Sequence, residues 1–169
     1  MALTLDATAK GADSNSYVSV SEAISYFEGR LDSADTWATA VAGATTEEVA
    51  LVMATSRLEL ETYDGIPTTT TQRLKWPRIG AYDGEGMYLD ADVVPRCVKE
   101  ATFELALALL TDDTLLDDTG LEAFSSITAG SLSVQLRGRT MASTLPEIVK
   151  KLLRPVRVSH DNVAHIVRS

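Results

Sequence analysis

The chain has 169 residues, 45% of them hydrophobic and 23% charged, with 24 acids against 15 bases and a formal net charge of −9. This length predicts a single domain, and the apolar fraction supplies a core and excludes wholesale disorder. The acidic balance argues against a protein that binds by neutralising phosphates over a broad surface, and the single cysteine excludes an internal disulfide.

The N-terminal quarter predicts an arm followed by two helices. Residues 1–16 are small and polar and should form an extended arm. Ser19 and Glu22 have the spacing of a capping box, which opens a first helix, and a short second helix is expected from Asp32 to Val41 around Trp37. The first helix carries an apolar stripe at helical spacing: Val20, Ala23, Ile24, Phe27 and Leu31.

A third helix and a long irregular stretch follow. A capping-box spacing at Thr45 opens a helix that should run to about Thr62. Its apolar residues lie on more than one face, which predicts packing on two sides, within the domain or against a neighbouring copy. Residues 63–94 lack a clear period, and so long a loop is usually functional or disordered. Because this loop contains aromatic residues, we expect it to be ordered and held down by Trp76 and Tyr88.

The next helix should be the centre of the domain. Pro95 suits the first turn of a helix that runs to about Leu110 and is apolar over most of its length. Its one exposed stripe has i, i+4 spacing and consists of Arg96, Glu100 and Glu104.

A hairpin and a last helix close the domain. Residues 132–136 alternate between apolar and polar, which predicts a strand, and residues 124–128 are its expected partner. A third capping-box spacing, at Thr144, precedes a short amphipathic helix that Pro155 should stop. Residues 156–169 then form an unanchored tail.

These elements predict a mainly α fold: a small helical bundle with a long ordered loop, one β-hairpin and an extended C-terminal arm. We expect an N-terminal arm at residues 1–16, a helical domain at residues 17–155 that includes the loop 63–94 and the hairpin at about 124–138, and a C-terminal tail at residues 156–169.

Charge also separates along the chain. Residues 1–122 carry 22 acids and 8 bases, a balance of −14, whereas residues 123–169 carry 2 acids and 7 bases, a balance of +5. The basic end is either a solvated tail or a part that docks on an acidic partner.

No catalytic or metal-binding constellation is found. His160 and His165 would lie on poorly converging faces of a helix. Cys97 opens an apolar helix without a nearby histidine and suits a buried structural thiol. The acids at residues 83–92 miss the spacing and the terminal glutamate of a calcium-binding loop. We therefore expect no enzyme activity, no metal and no cofactor.

No membrane partner is expected either. The longest apolar run covers only residues 105–110, and the first residues carry neither a basic nor a long apolar stretch. A membrane-spanning helix needs ~20 apolar residues. We therefore expect a soluble protein made in the cytoplasm.

Nucleic-acid binding has one candidate, the aromatic residue Trp76 between Lys75 and Arg78, with Arg73 nearby. Cations around an aromatic ring form a stacking platform for single-stranded DNA. The surrounding segment is strongly acidic, which weakens such a platform. Packing of Trp76 onto the body of the domain, with the basic residues paired to carboxylates, is the favoured interpretation.

Four stretches, in this order, resemble a known family: Ala12-Asp-Ser-Asn-Ser-Tyr17-Val-Ser-Val-Ser-Glu-Ala, then Leu74-Lys-Trp-Pro-Arg-Ile-Gly80 with Asp83 and Gly86, then Val94-Pro-Arg-Cys-Val-Lys-Glu-Ala-Thr-Phe-Glu-Leu-Ala, and Gly130-Ser-Leu-Ser-Val134. With the closing Leu-Pro and Leu-Leu-Arg-Pro helix, residues 12–155 are similar to the head–tail connector (adaptor) proteins of tailed bacteriophages. Members of this group are also labelled DnaT-like single-stranded-DNA-binding proteins.

The resemblance implies a small helical domain that assembles as a ring, usually of twelve copies, beneath the portal in the virion neck. The implied partners are further copies of the chain, the portal protein and a tail-side neck or tail-completion protein. Genomic double-stranded DNA would pass through the lumen without specific binding. The alternative is a single-stranded-DNA-binding module of a replication or primosome-type complex.

The resemblance also implies roles for two regions, and no catalytic residue or metal ligand. The C-terminal end is expected to bind the portal through its cations: Lys150, Lys151, Arg154, Arg157 and Arg168. The long loop and the hairpin are expected to supply ring contacts or to anchor the loop: Trp76, Arg78, Tyr82, Tyr88, Leu132, Val134 and Leu136.

Overall fold

The structure, a computed structural model, describes residues 3–31, 33–40, 46–111, 126–129, 132–135 and 145–158. Within these residues the fold is mainly α with a small β-hairpin. The helices are α1 (Val20–Glu28), α2 (Ser33–Ala40), α3 (Thr46–Leu58), α4 (Arg96–Thr111) and α5 (Glu147–Leu153). The strands are β1 (Ile66–Pro67), β2 (Arg78–Ile79), β3 (Ser126–Ala129) and β4 (Leu132–Gln135).

The start of α1 confirms the capping box that its sequence predicts. The Ser19 hydroxyl accepts a hydrogen bond from the Glu22 N–H at 3.3 Å, and the Glu22 carboxylate accepts one from the Ser19 N–H at 2.8 Å. The box expected before α5 is wrong, because Pro146 is the N-cap there and has no side chain that can cap the helix. The box at Thr45 lies outside the described residues.

α4 lies at the centre of the core, packed between α3 and α5, as its apolar sequence predicts. A ring pair joins it to α1, since Tyr26 stacks on Phe103 with centroids 4.7 Å apart, and a second ring pair, Phe27 on Trp37 at 4.6 Å, joins α1 to α2. The short helix expected around Trp37 is confirmed as α2, and that indole is buried. The buried side chains of α4 are Val98, Ala101, Thr102, Phe103, Glu104, Leu105, Ala106 and Leu109.

The predicted exposed stripe of α4 is wrong at one position. Arg96 and Glu100 form an exposed ion pair at 2.6 Å, as i, i+4 spacing predicts. Glu104, however, is buried and accepts hydrogen bonds from the Tyr26 hydroxyl and the Arg30 guanidinium. A carboxylate can be buried when it is paired and hydrogen-bonded, and both partners come from the region of α1, 74 and 78 positions away in sequence.

α3 carries apolar side chains on two faces. Ala50, Leu51, Ala54 and Leu58 are buried against the core. Val49 and Met53, one turn apart, remain 39% and 43% exposed. The helix ends at Leu58, before the predicted Thr62, and a turn leads into the long loop.

The N-terminal segment folds back on itself and is not extended. The Asp6 carbonyl accepts hydrogen bonds from the Asn15 and Ser16 N–H groups at 2.9 and 3.0 Å. The segment also packs on the long loop, since the Arg73 N–H donates to the Gly11 carbonyl at 3.1 Å. Ser14 and Ser16 are consequently buried.

The predicted unanchored tail is wrong for its first residues. Val156 is fully buried, its carbonyl accepts a hydrogen bond from the Asp64 N–H at 3.2 Å, and the Val158 N–H donates to the Thr62 carbonyl at 3.1 Å. Arg157 pairs with Glu61 at 2.6 Å. We call residues 155–158 the strap, because they cross the chain that enters the long loop and hold it against the core. Residues 159–169 lie outside the described residues.

The predicted hairpin is confirmed. β3 and β4 pair antiparallel, with Ile127 opposite Val134 and Ala129 opposite Leu132. β1 and β2 form a second, shorter antiparallel pair inside the long loop, with Ile66 opposite Ile79. None of the described helices is long and apolar enough to cross a membrane.

Candidate functional site

The indole of Trp76 is part of the core. It is 1% exposed, and its ring meets the edge of the Tyr63 ring with centroids 5.5 Å apart. The Arg78 guanidinium lies 5.9 Å from the ring centroid, and Arg78 is itself buried. A base could not stack on Trp76 without unfolding the loop, and the packed interpretation of this cluster is therefore the one that the geometry supports.

The cations around Trp76 bind the protein's own backbone. Arg78, which is 8% exposed, donates hydrogen bonds to the carbonyls of Asp64 at 2.7 Å and Lys75 at 3.2 Å, and also to those of Tyr63 and Gly65. Burial lowers the pKa of Arg78, and the nearby Tyr17 and acidic groups oppose that change. The expectation that these bases pair with carboxylates is wrong for all three. Arg78 binds the carbonyls of the turn at residues 63–65, the Lys75 ammonium donates to the Glu61 carbonyl, and the Arg73 guanidinium donates to the Asp13 carbonyl.

Glu59 joins the N-terminal segment, α3 and the long loop. Its carboxylate accepts the hydroxyl of Tyr17 and the backbone N–H of Lys75, the latter at 3.0 Å. The Lys75 ammonium donates to the Glu61 carbonyl at 2.8 Å. Burial, followed by the charge of Glu59, raises the pKa of Tyr17 far above its ordinary value, so the phenol stays a donor at any physiological pH. This network fixes the base of the loop.

Five large side chains at the far end of the same loop point to solvent. We call them the loop patch: Ile66, Ile79, Tyr82, Met87 and Tyr88, with exposed fractions of 65, 42, 52, 66 and 54%. Four members are linked, because Ile66 pairs with Ile79, the Tyr88 hydroxyl accepts the Gly80 N–H at 3.4 Å, and the rings of Tyr82 and Tyr88 meet at 5.7 Å. Met87 precedes Tyr88 in the chain. Tyr88 therefore does not hold the loop against the core; Trp76 does.

The turn beside the loop patch is ordered by its own hydrogen bonds. The Asp83 carboxylate accepts the N–H groups of Glu85 and Met87 at 2.9 and 2.8 Å, and the Asp83 N–H donates to the Met87 carbonyl at 2.9 Å. Gly86 takes a φ of 82°, which favours glycine. The loop patch is thus held on a fixed backbone, and ordering it on binding costs little entropy.

The C-terminal cations expected to bind the portal differ in their surroundings. Lys150 pairs with Glu147 at 3.8 Å, and Arg157 pairs with the nearly buried Glu61 at 2.6 Å. Lys151 and Arg154 are exposed, and within the described part of the chain neither has an ion-pair partner. Arg168 lies outside the described residues.

The hairpin residues expected at a ring contact are only partly described. Leu132 and Val134 occupy alternate positions of β4, opposite Ala129 and Ile127. Leu136 lies outside the described residues. The structure therefore gives the register of Leu132 and Val134 in the hairpin.

The acids of the long loop make contacts that stabilise the loop. Asp92 pairs with Lys10 at 2.6 Å, and the Asp90 carboxylate accepts the Asp92 N–H at 2.8 Å. Across the described ranges, no three histidine, cysteine or acidic side chains converge as metal ligands. Cys97 is half-buried, and burial raises the pKa of its thiol.

Reasoning from sequence missed several members of the site. Ile66, Ile79 and Met87 are isolated apolar residues among turn formers, and only the β1–β2 pairing brings the first two together. Glu61 carried no local signal, because its partner Arg157 is far away in sequence. An isolated apolar residue inside a polar loop was the one available sign of an exposed contact.

Comparison with known proteins identifies the family of the chain. A family model described as "Putative DnaT-like ssDNA binding protein" matches residues 1–169, the whole chain. No curated protein and no solved structure matches the chain.

Proposed function

The chain belongs to the family described as "Putative DnaT-like ssDNA binding protein", and within that family we propose that it is a non-catalytic structural subunit of a phage neck. In this proposal several copies form a ring that joins the portal of a tailed-phage head to the tail and continues the DNA channel. The proposal extends the family match with the resemblance to head–tail connector proteins described above.

One observation carries the proposal: the loop buries its candidate DNA-stacking residue, Trp76, and exposes apolar side chains. Trp76 is buried against Tyr63, and the buried Arg78 is hydrogen-bonded to backbone carbonyls, whereas Tyr82, Met87 and Tyr88 are each more than half exposed on an ordered turn. Tyrosine and methionine are enriched where proteins bind proteins. This arrangement favours a subunit that binds other subunits over a module that stacks bases.

The charge of the chain suits a channel through which DNA must slide. The balance of −14 over residues 1–122 repels phosphates, so a wall built from this part would not hold the duplex. Tight phosphate binding would impede passage of the genome. A lumen that is uniformly basic in the assembled ring would contradict this part of the proposal.

The C-terminal end remains the part that we expect to dock on an acidic surface of the portal. Truncation after Arg154 would remove the buried Val156 and the Arg157–Glu61 pair, so it would disturb the fold as well as the docking. Truncation after Val158 keeps the strap and is the sharper test. This truncation removes Arg168 and keeps the other four cations, so we expect weaker portal association while the thermal unfolding of the subunit stays unchanged. Association at wild-type strength would contradict a docking role for residues 159–169.

The test of the ring compares assembly with DNA affinity in the same preparation. Full-length protein, alone or mixed with the portal protein, is imaged by negative-stain electron microscopy. A labelled single-stranded oligonucleotide is titrated at about 50 and 200 mM salt, because phosphate binding weakens steeply over this range. We expect annular particles and little affinity for the oligonucleotide at either salt concentration.

The alternative is a single-stranded-DNA-binding module, with which the description of the family agrees in name. In that case the protein should retard oligonucleotides with a steep salt dependence. Because Trp76 is buried, the exposed cations Lys151 and Arg154 are the better residues to substitute. Loss of binding in a double alanine variant, with no annular particles in any preparation, would favour this alternative.

A further inference from the structure

The loop patch has the composition of a protein-binding surface with an acidic rim. Its apolar members are flanked by Asp64, Glu85 and Asp90, all exposed. The segment from residue 79 to residue 95 contains no lysine or arginine. Aromatic and aliphatic side chains inside a polar rim are typical of binding hot spots, and the sign of the rim selects the partner. An occupant should therefore combine an apolar side chain with cations.

The outer face of α5 has this complementary composition. Ile148 is 48% exposed, and Lys151 and Arg154 follow on the exposed side of the same short helix and its end. Neither cation pairs with a carboxylate within the described part of one copy. We call these three residues the outer face of α5. One apolar side chain and two free cations match the loop patch and its rim in both chemistry and sign.

We propose that the loop patch of one copy is the docking site for the outer face of α5 of a second copy. The proposal rests on the proposed function, since it names the contact by which copies associate. In it, Ile148 packs against the rings of Tyr82 and Tyr88, while Lys151 and Arg154 approach the acids of the rim. Two of the cations expected to bind the portal thereby bind a neighbouring copy.

Two features of the structure suit the contact to a repeated assembly. The loop patch and the outer face of α5 share no residue, although the turn at Gly84 adjoins Pro155 within one copy. A head-to-tail contact between unlike patches can continue to further copies. Both surfaces are also held on ordered backbone: the turn by the Asp83 carboxylate, and α5 by burial of Val149 and Leu153 in the core.

The test is a charge exchange between copies. One full-length variant carries Asp64→Lys and Glu85→Lys, and the other carries Lys151→Glu and Arg154→Glu. Both acids are exposed, and Asp83 is left unchanged because its carboxylate holds the turn. Association is measured by sedimentation velocity in the condition in which the wild type assembles. We expect each variant alone to associate at least about tenfold more weakly, and an equimolar mixture to recover, since opposite charges then meet again.

The controls separate this contact from general charge effects and from misfolding. A variant with Asp13→Lys and Glu28→Lys makes the same charge change at exposed positions away from the loop patch and should associate as the wild type does. Tyr88→Ala removes apolar surface without changing charge; it should weaken association and leave the circular dichroism spectrum and melting temperature unchanged.

Three results would overturn the proposal. Variants that associate like the wild type would show that copies contact each other through other surfaces. That result would refute the contact proposed here and leave the proposed ring unaffected. A mixture that fails to recover, with lowered melting temperatures, would indicate a contact within one copy. A wild-type chain that never associates, alone or with the portal protein, would refute both this contact and the proposed function.

Discussion

The substitution Trp76→Ala separates the ring subunit most clearly from the single-stranded-DNA-binding module. Because the indole is buried, we expect the substitution to lower folding stability and not to remove a DNA contact. The indole is 1% exposed, and its neighbours are the Tyr63 ring at 5.5 Å and the Arg78 guanidinium at 5.9 Å. Removing it leaves a cavity beside a cation that is bonded to four backbone carbonyls.

The size of the effect follows from this burial. Truncation of a buried aromatic side chain to alanine costs about 3–5 kcal/mol, out of a total stability of roughly 5–15 kcal/mol for a domain. With a urea m-value of about 2 kcal/mol per M, the midpoint of unfolding should fall by about 2 M. Tyr88→Ala, in the same loop but 54% exposed, is the matched control and should change stability by less than about 0.5 kcal/mol.

The assay is urea unfolding followed by circular dichroism, with oligonucleotide binding measured on the same samples below the unfolding transition. Stacking of a base on an aromatic side chain is worth about 1–3 kcal/mol. If Trp76→Ala left the unfolding midpoint unchanged and weakened oligonucleotide binding by about tenfold or more, the reasoning from burial would be refuted and Trp76 would be a DNA-binding residue.

Three further predictions test the strap, the first helix and the cysteine. Arg157→Ala should lower the free energy of unfolding by about 2 kcal/mol, because the Glu61 side chain, 9% exposed, loses its charged partner, whereas Arg154→Ala should have no effect in the same urea titration. Ser19→Ala should cost about 1 kcal/mol through loss of the helix cap, and an unchanged midpoint would contradict the hydrogen bonds described for it. Burial raises the pKa of the Cys97 thiol above its ordinary 9.0, so the reactive thiolate is scarce at pH 8. Labelling of Cys97 by a disulfide reagent should therefore be much slower in the native protein than in urea. Equal labelling rates would refute the assignment of Cys97 as a buried structural thiol.

The features that sequence predicted correctly depend on residues close together in the chain. Ser19 and Glu22 form their capping box three positions apart, and the alternation at residues 132–135 is satisfied by a hairpin. The apolar length of α4 made it the central helix. In each case one local pattern determines the element, and distant residues only reinforce it.

The features that sequence missed depend on pairs far apart in the chain. Glu104 looked like the third member of an exposed stripe, but Arg30 and Tyr26 approach it only after α1 has packed on α4. Arg157 looked like a free cation of a tail, yet its partner Glu61 follows α3. Charge and spacing alone do not reveal such partners. The type of a residue determines which groups it can bind, whereas the tertiary fold determines which groups lie next to it.

The candidate site shows the same division. The packing of Trp76 could be inferred from the acidic segment around it, and burial bears this out. The exposure of Tyr88 could not be inferred from the sequence, because Tyr88 and Trp76 are both aromatic residues in one loop of mixed polarity. Only the pairing of β1 with β2 and the turn at Asp83 determine which aromatic side chain faces outward.

The most direct test of the central claim, lateral self-association around a DNA channel, is electron cryo-microscopy of the full-length protein with its portal protein. The account predicts a closed ring in which each loop at residues 63–94 touches the next subunit and the lumen wall is acidic. Single subunits with no contact between copies, or subunits that wrap a nucleic-acid strand in a basic groove, would contradict it.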